Sequence, residues 1–385
     1  MQVSSFLWRP RQGCAPPAAD AAAIDLVLYF GPRGLLEDGA LHRDLGAAYP
    51  GAILMGCSSG GQIVDSDVSD EAVACTALRF ERTRLKSAGA PIAQASQSQA
   101  VGAQLARRLD APGLAAILVL SDGLAVNGSE LIAGLSGALA REIPICGGMA
   151  GDGAAFARTL VGLDGPPQPG YVAALGFYGE AVRIGHGSNG GWEVFGPSRV
   201  VTRSSGAVLE ELDGRPALDL YTRYLDRADI DGLPGTALLF PLLIRNPERP
   251  TQELVRTILS IDRASGAMTF AGDMPKGWSA QLMRGSIASL TAGAEMAGAQ
   301  ATHGLAPSPE ARSGGLALMV SCIGRRLAMG QNTGAEIEAV QSQLPPGFVA
   351  AGFYSYGEFS PHARTGCCEL HNQTMTVMTL TERAA

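Results

Sequence analysis

Short apolar runs alternate with longer amphipathic stretches along the first 145 residues of the chain. Each short run is bounded by glycine or charge, or is rich in branched side chains, so it predicts a buried strand. The amphipathic stretches predict helices, and Ser129 is a candidate N-cap for the last of them. This alternation favours an α/β sheet covered by helices. The predicted strands are Ile24–Phe30, Ala52–Cys57, Val73–Phe80 and Leu114–Leu120, and the predicted helices are Leu35–Tyr49, Ser98–Leu109 and Glu130–Arg141.

From Tyr171 onward the pattern changes to shorter strands separated by Gly, Asn and Pro. A polar segment with Gly and Pro, residues 227–235, predicts a domain boundary. We therefore predict an α/β fold with mixed sheets in two packed domains, residues 24–226 and residues 236–382, each a mainly β core covered by helices. The elements predicted here are strands at 171–178, 181–185, 192–194, 200–203, 237–244, 255–261, 268–271, 280–283, 316–322, 348–356 and 375–380, and helices at 216–225, 286–301 and 336–344.

Two short segments, one in each half of the chain, are similar in sequence. Ala174–Glu180 reads Ala-Leu-Gly-Phe-Tyr-Gly-Glu, and Ala351–Glu358 reads Ala-Gly-Phe-Tyr-Ser-Tyr-Gly-Glu. Each segment follows a predicted strand–helix unit, which favours two halves related by internal duplication. Gly-Phe-Tyr is also a common strand end, so both interpretations stay open at this point.

Composition and charge narrow the class of protein. With 46% apolar and 17% charged residues, the 385-residue chain can bury a large core. A net charge of -7 argues against binding to nucleic acid or anionic membrane, because such binding needs clustered Lys and Arg. The longest apolar stretches, residues 114–120 and 237–244, are far shorter than the roughly 20 residues that span a bilayer. The first twenty residues lack the apolar core of a signal peptide, so we expect a cytoplasmic protein.

The cysteines predict no metal site. They form no C-x-x-C pair and have no zinc-binding spacing. Most lie at or near the ends of apolar runs, where a reduced cysteine packs as a small apolar residue. Free thiols of this kind suit a reducing cytoplasm. The seven cysteines are at positions 14, 57, 75, 146, 322, 367 and 368.

One motif resembles a catalytic serine. Gly56–Gly60 reads Gly-Cys-Ser-Ser-Gly and matches the G-x-S-x-G turn of hydrolases directly after a predicted strand. That turn needs a helix immediately after the serine, whereas Gly61–Asp67 reads as a turn into an extended polar segment. We therefore predict that the chain is not an enzyme, and a serine hydrolase using Ser58 is kept as an alternative.

Glycine-rich turns after strands predict a ligand site. Glycines allow backbone N–H groups to approach a small molecule closely, and ligands of open α/β sheets lie beyond the carboxyl ends of strands. The alternative is that these segments are only tight turns. The candidate ligand-binding residues of this half are Gly56, Cys57, Ser58, Asp122, Gly148 and Asp152.

An ordered series of motifs resembles the FIST family, intracellular sensory modules of bacterial signal transduction and of some eukaryotic F-box proteins. The resemblance covers about residues 24–382 and implies a ligand-binding sensor rather than an enzyme. Bacterial relatives imply a sensor histidine kinase or a cyclic-dinucleotide enzyme as partner, and the chain has no kinase, cyclase or receiver motif of its own. The motifs are Gly56–Gly61, Ser121–Gly123, Gly147–Asp152, Gly191–Glu193 before Gly196-Pro197, Ser321–Arg325 with the acidic Glu336, Gly352–Pro361 and His371–Thr374.

Two charged residues of the C-terminal motifs are candidate ligand contacts. A guanidinium binds a carboxylate with two hydrogen bonds and a carboxylate binds an amine, so Arg325 and Glu358 together suit an amino-acid-like ligand. Tyr354 and Tyr356 share one face of their predicted strand, and Tyr354 is a further candidate contact. A buried structural Arg–Glu bridge is the alternative.

The resemblance also raises haem as a cofactor, because some members of the family bind haem and respond to nitric oxide. A haem site needs a histidine in an apolar pocket. His186 is the first candidate haem ligand, since it lies in a glycine-rich turn near Trp192, and His362 and His371 are the others. The chain has no C-x-x-C-H motif, so we expect no covalent attachment.

Overall fold

The computed structural model describes residues 1–10, 21–303, 305 and 314–383, and Cys14 lies outside these ranges. Within them, helices cover several sheets in which parallel and antiparallel strands are mixed. The predicted mixed α/β class is therefore confirmed.

Three stretches of the described chain repeat one plan. Each has an edge strand, two parallel strands joined through helices, a strand that leaves the unit, and a returning antiparallel strand. The first unit contains β1 (Gln2–Trp8), β2 (Leu26–Gly31), α1 (Arg33–Leu36), α2 (Ala40–Ala48), β3 (Ile53–Ser58), β4 (Gln62–Val64), β5 (Asp67–Ser69) and β6 (Val73–Arg79). The second contains β7 (Arg84–Pro91), α3 (Ser98–Leu109), β8 (Leu114–Ser121), α4 (Gly128–Ala138), β9 (Ile145–Met149), β10 (Val161–Leu163) and β11 (Tyr171–Tyr178).

The third unit is longer because a segment is inserted after its first strand, β12 (Val182–Asn189). The insertion contains β13 (Glu193–Val194), β14 (Arg199–Ser205), β15 (Val208–Leu212), β16 (Arg215–Pro216), α5 (Ala217–Tyr221), α6 (Arg227–Asp231), β17 (Leu242–Arg245), β18 (Glu253–Arg256), β19 (Ile258–Asp262), β20 (Ala267–Phe270) and β21 (Ser279–Arg284). The unit then continues through α7 (Ile287–Thr302), β22 (Gly315–Cys322), α8 (Ile323–Met329), α9 (Gly334–Gln341), β23 (Phe348–Ser355), β24 (Gly357–Pro361), β25 (Cys368–His371) and β26 (Met375–Glu382).

The three units are interlocked by an exchange of strands. Their sheets have the orders β1-β6-β2-β3-β10, β7-β11-β8-β9-β24-β25 and β12-β26-β22-β23-β4-β5. In each sheet the second parallel strand pairs with a strand that belongs to another unit: β3 with β10, β9 with β24, and β23 with β4. The second unit thus adds a strand to the sheet of the first, the third to that of the second, and the first to that of the third.

The insertion forms a fourth sheet with its own apolar core. Its order is β18-β17-β21-β14-β15-β20-β19, with β13 paired to β21 and β16 to β15. The predicted domain boundary, residues 227–235, lies inside this insertion, and the sheet joins strands from both sides of it. The insertion is thus a lateral addition to the three-unit body.

A central core lies where the three sheets face one another. Side chains alternate across a strand, so every second residue of β2, β8 and β22 points to the centre. Phe30 of the first unit stacks on Phe353 of the third, with ring centroids 4.5 Å apart. The opposite faces of these strands pack in the remaining apolar clusters. The central residues of the three strands, all buried, are Leu26, Leu28, Phe30, Ala116, Leu118, Leu120, Leu316, Leu318 and Val320.

Several predicted elements differ from the structure for local reasons. The helix predicted at Leu35–Tyr49 is broken in two, because Gly39 adopts a left-handed conformation with φ of 68°. Asn127, not Ser129, caps α4, and its side chain accepts a hydrogen bond from the backbone N–H of Glu130. The first half of the strand predicted at 237–244 is a 3-10 turn that ends shortly before Pro241.

The two segments that resemble each other in sequence do not occupy equivalent positions in the three-unit repeat. The two Gly-Phe-Tyr segments fall on β11 and β23, which hold different positions in the plan. Residues 56–62 and 352–358 hold the same position, and both contain a serine followed three residues later by Gln or Glu. The Ser59 hydroxyl donates to the Gln62 carbonyl oxygen at 2.7 Å, and the Ser355 hydroxyl donates to the Glu358 carboxyl at 2.6 Å.

Candidate functional site

The carboxyl ends of the three parallel strand pairs meet at one end of the central core. Three backbone hydrogen bonds join the units there in a closed ring. Gly60 N donates to Tyr354 O at 2.9 Å and Gly151 N to Ser58 O at 3.0 Å. Tyr356 N completes the ring by donating to Met149 O at 3.2 Å. Each of the three units therefore contacts both others at this junction.

One side chain from each unit converges beside this ring. Arg33 of the first unit follows β2, Asp152 of the second follows β9, and Tyr356 of the third follows β23. Arg33 Nη1 lies 3.0 Å from Asp152 Oδ2, and the Tyr356 hydroxyl donates to Asp152 Oδ1. The side chain of Asp152 is 2% exposed whereas that of Arg33 is 34% exposed. The cluster is therefore a buried carboxylate reached from solvent through a guanidinium.

The Asp152 carboxylate is held in its charged form. Burial by itself raises the pKa, but hydrogen bonds from Tyr356, Arg158 and Ala157 and the charge of Arg33 more than offset it. The pKa of Asp152 is consequently below its usual value. The backbone N–H groups of Arg158 and Ala157 donate to Oδ2 at 2.9 and 3.1 Å. This carboxylate is thus a fixed negative charge near neutral pH.

Tyr356 is clamped in position by its surroundings. A Cβ on Gly123 would lie 2.8 Å from the Tyr356 ring and 2.0 Å from Ala150 O, so the ring needs glycine at this position. The ring of Phe156 stacks on Tyr356, with centroids 4.5 Å apart and planes 13° from parallel. Burial raises the pKa of the Tyr356 hydroxyl, which keeps it a hydrogen-bond donor.

The serine motif of the first unit is buried in the junction. Leu160 N donates to Ser58 Oγ at 2.9 Å, and no described histidine or lysine is hydrogen-bonded to that hydroxyl. Cys57 is fully buried in the central core, and burial raises its pKa well above the usual value. That the chain is not an enzyme stays a prediction.

The two predicted glycine contacts serve close packing. A Cβ on Gly56 would lie 2.0 Å from Tyr29 O, and one on Gly148 would lie 2.7 Å from a Val320 methyl group. Gly148 therefore lets the second unit approach the third at the core.

Asp122 is a turn-forming residue. Its Oδ1 accepts from Leu124 N at 2.8 Å and Ala125 N at 2.7 Å, and its Oδ2 accepts from Gly170 N at 2.9 Å. The carboxylate thus shapes the loop after β8 instead of pointing to the Arg33 cluster.

Arg325 pairs with Glu336 and not with Glu358. Its Nε and Nη2 lie 2.9 and 2.8 Å from Glu336 Oε2, and both side chains are fully buried. The remaining guanidinium contacts are backbone carbonyls, those of Leu290 at 2.9 Å, of Gln373 at 3.5 Å and of Gly190. Tyr354 donates to Glu336 Oε1 at 2.8 Å, so it belongs to the same network. These distances describe a buried structural bridge, but its carboxylate is Glu336 and not the Glu358 of the bridge that the sequence left open.

Glu358 lies apart from this network. Its carboxyl accepts from Ser355 Oγ, from Thr374 Oγ1 at 2.9 Å and from Thr374 N at 3.2 Å. Burial raises the pKa of Glu358 to about 8, against the lowering effect of these hydrogen bonds and of the Arg325 charge. The residue is therefore mainly protonated at neutral pH and resembles Gln62, its counterpart in the first unit.

We expect Glu358→Gln to remove a pH dependence of stability. The folded-state pKa of about 8 exceeds the unfolded value, so this carboxyl contributes most at low pH and its contribution is lost as pH rises from about 4.5 through 8. Thermal melts at pH 6 and pH 9 should fall further apart for wild type than for the variant. Equal pH dependence in the two proteins would show that Glu358 is ionised when folded.

His186 lines a cleft away from the junction. The cleft has a volume of about 640 Å³. Burial lowers the pKa of His186, which keeps the ring neutral at pH 7. The described residues hold no group of three or more His, Cys, Asp or Glu side chains placed to bind a metal ion. The cleft is lined by Ser136, Gly137, Leu139, Arg141, Glu142, Ile143, Pro144, His186, Pro361, Gly366, Cys367 and Cys368.

Sequence reasoning missed Arg33, Phe156 and the contact of Tyr356 with Asp152. Arg33 comes directly after a predicted strand, separated from it by Gly31 and Pro32. The rule that placed Asp152 at a strand end applies equally to Arg33. Phe156 carries no comparable signal in the sequence.

Comparison with known proteins identifies the family. The FIST N domain matches residues 25–215 and the FIST C domain matches residues 217–361. The chain belongs to the FIST family. FIST domains are small-ligand sensory modules in signalling. No helix among the described residues is long and apolar enough to cross a membrane.

Relatives outside the family are distant. A search of curated proteins finds no match. Among solved structures, cyanuric acid hydrolase from A. caulinodans is 11% identical with a TM-score of 0.36, covering 95% of this chain and 92% of the other. A chorismatase is 9% identical with a TM-score of 0.38, covering 99% and 98% of the two chains. These scores support no inference about the chemistry of this FIST protein.

Proposed function

We propose that this FIST protein senses an amino-acid-like ligand at the junction of its three units. The observation that carries the proposal is the pair of opposite charges formed by Arg33 and Asp152, which come from different units and lie 3.0 Å apart. The Arg33 end is open to solvent, and the Asp152 end is buried. A zwitterion offers the complementary pair of charges.

The expected contacts follow from the chemistry of the two groups. A guanidinium binds a carboxylate through parallel hydrogen bonds, so the ligand carboxylate lies on Arg33. An ammonium group lies on Asp152, whose carboxylate is kept ionised by its hydrogen bonds. We propose Arg33 and Asp152 for this role in place of Arg325 and Glu358, the pair predicted from the sequence, because the Arg325 side chain is fully buried against Glu336 whereas Arg33 is reached from solvent.

The position of the site gives a route from binding to signalling. A ligand that separates Arg33 from Asp152 alters contacts between two units and, through Tyr356, the third. Such a ligand shifts the equilibrium between arrangements of the units by its differential affinity for them. The output passes to a partner, for which a sensor histidine kinase or a cyclic-dinucleotide enzyme is inferred by analogy with the family alone.

We expect Arg33→Ala and Asp152→Asn to weaken ligand binding by roughly ten- to a hundredfold, because each removes a charge-assisted hydrogen bond worth about 1.5–3 kcal/mol. Calorimetric titration with the twenty amino acids measures the effect. Arg227→Ala is the matched control, since the Arg227 side chain is 95% exposed. Binding that is equally strong in all four proteins would place the ligand elsewhere.

Haem binding at His186 is the second candidate, favoured by the neutral ring in a cleft with apolar lining from Leu139, Ile143 and Pro361. His186 would hold the group through a ring nitrogen, the apolar residues would contact its ring, and haem would supply an iron able to take a gaseous ligand. We expect reconstituted wild type to show a Soret band that His186→Ala loses and the exposed-site control His303→Ala keeps. A wild type without a Soret band would remove this candidate.

A further inference from the structure

Phe156 occupies an unusual position for a large apolar residue. The residue is 37% exposed, and its backbone adopts φ of 47°, in the left-handed region that residues other than glycine rarely enter. Such a conformation costs free energy and persists where the surrounding structure enforces it. The ring compensates by stacking on Tyr356 at 4.5 Å. Phe156 therefore covers an aromatic surface at the proposed ligand site.

The segment that carries Phe156, residues 153–158, is held by the ligand site itself. Phe156 N donates to the Tyr356 hydroxyl at 3.3 Å, and the next two backbone N–H groups donate to Asp152 Oδ2. The Arg158 side chain also lies 3.6 Å from Glu37, which pairs with Arg33 at 3.4 Å. The segment thus uses the same carboxylate that a ligand ammonium group would use.

We propose that residues 153–158 form a lid over the site, and that the ligand carries an aromatic ring which replaces Phe156 on Tyr356. This inference rests on the proposed function and specifies its ligand class, an aromatic amino acid. The ligand ammonium competes with the lid amides for Asp152, and the ligand ring competes with Phe156 for Tyr356. Binding and lid opening are therefore coupled, because the closed lid and the ligand exclude each other.

Substitutions at Phe156 show whether its ring competes with the ligand for Tyr356 or contacts the ligand directly. Removal of an internal competitor raises the apparent affinity by at most the reciprocal of the fraction of wild-type protein in which the lid is open. We expect Phe156→Ala to bind L-phenylalanine about three- to tenfold more tightly than wild type, the range of one aromatic stacking interaction. Phe156→Trp, which retains a ring, should bind it no more tightly than wild type. L-Leucine, which has no ring to stack on Tyr356, should bind more weakly than L-phenylalanine to both proteins, although loss of the lid contact raises its apparent affinity as well.

The lid proposal can also be tested in the absence of a ligand. Hydrogen exchange of the amides of residues 156–158 should be faster in Tyr356→Phe, because the hydroxyl that accepts from Phe156 N is gone. Helix α3, residues 98–109, is the internal control and should exchange unchanged. Unaltered exchange at residues 156–158 would contradict the proposal that this segment is a lid held by Tyr356.

The outcomes of the titration distinguish the two proposals. If Phe156→Ala leaves binding unchanged or weaker while Arg33→Ala still reduces it, the lid inference is wrong and the proposed site stands. If no amino acid binds to wild type or to Phe156→Ala, both the ligand class and the proposed function are wrong. Tighter binding of L-phenylalanine by Phe156→Ala, with L-leucine bound more weakly than L-phenylalanine, supports both, whereas L-leucine bound as tightly as L-phenylalanine overturns the aromatic ligand class.

Discussion

Arg325→Ala should lower the free energy of unfolding by about 3–5 kcal/mol, the range found when one member of a buried ion pair is removed. The variant leaves the Glu336 carboxylate buried without its cation, since the guanidinium supplies two close contacts to Oε2. The carbonyls of Gly190 and Leu290 lose their donor as well. The substitution therefore disconnects α8 from α9 and from the start of α7.

Chemical denaturation of Arg325→Ala and of its neighbour variant Arg326→Ala tests this expectation. Arg326 pairs with the mostly exposed Asp70. It also donates to the Gly60 carbonyl and lies over the Tyr354 ring, so its loss should cost about 1–2 kcal/mol, less than that of Arg325. A double replacement of Arg325 and Glu336 by apolar residues should recover much of the lost stability. If Arg325→Ala is as stable as wild type but no longer binds ligand, the arginine belongs to the ligand site after all.

Phe353→Ala should also lower the free energy of unfolding by about 3–5 kcal/mol, the usual cost of truncating a buried phenylalanine. The ring is fully buried, stacks on Phe30 of the first unit and lies near Gly148 of the second. Its removal leaves a cavity where all three units meet. The substitution should therefore destabilise the three-unit body as a whole and not one sheet alone.

Phe348→Ala is the matched control, because Phe348 lies on the same strand and is only half-buried. We expect it to lower stability by clearly less than Phe353→Ala in the same denaturant titration. Hydrogen exchange should show that the backbone amides of β2, β8 and β22 all lose protection in Phe353→Ala. A loss of protection confined to β22 and β23 would argue that the units unfold independently.

Local patterns in the sequence predicted local structure well. The helix Ser98–Leu109 and the strand Tyr171–Tyr178 have the predicted ends, because their periodicity and bounding residues are contained in the segment. Helix α8 was missed, since a seven-residue segment with Gly324 and two arginines shows no clear apolar stripe. The break at Gly39 depended on a backbone conformation that the apolar pattern does not encode.

The site depends on contacts that no local pattern reveals. Arg33 and Asp152 are 119 positions apart, and Asp152 and Tyr356 are 204 apart. Strand ends predicted that Asp152 faces a ligand edge, but they could not say which strand ends meet. The cyclic exchange of β4, β10 and β24 decides this, and it is a property of the whole chain. For the same reason the partner of Arg325 was assigned to Glu358 when the fold provides Glu336.

Hydrogen exchange of the full chain, with and without saturating L-phenylalanine, tests the central claim most directly. The account predicts altered exchange at residues 31–34, 151–158 and 354–357, the three segments that meet at the junction. At a ligand concentration that just saturates wild type, Arg33→Ala should show a much smaller change. Changes confined to residues 136–144 and 366–368, which line the His186 cleft, would contradict the junction as the ligand site.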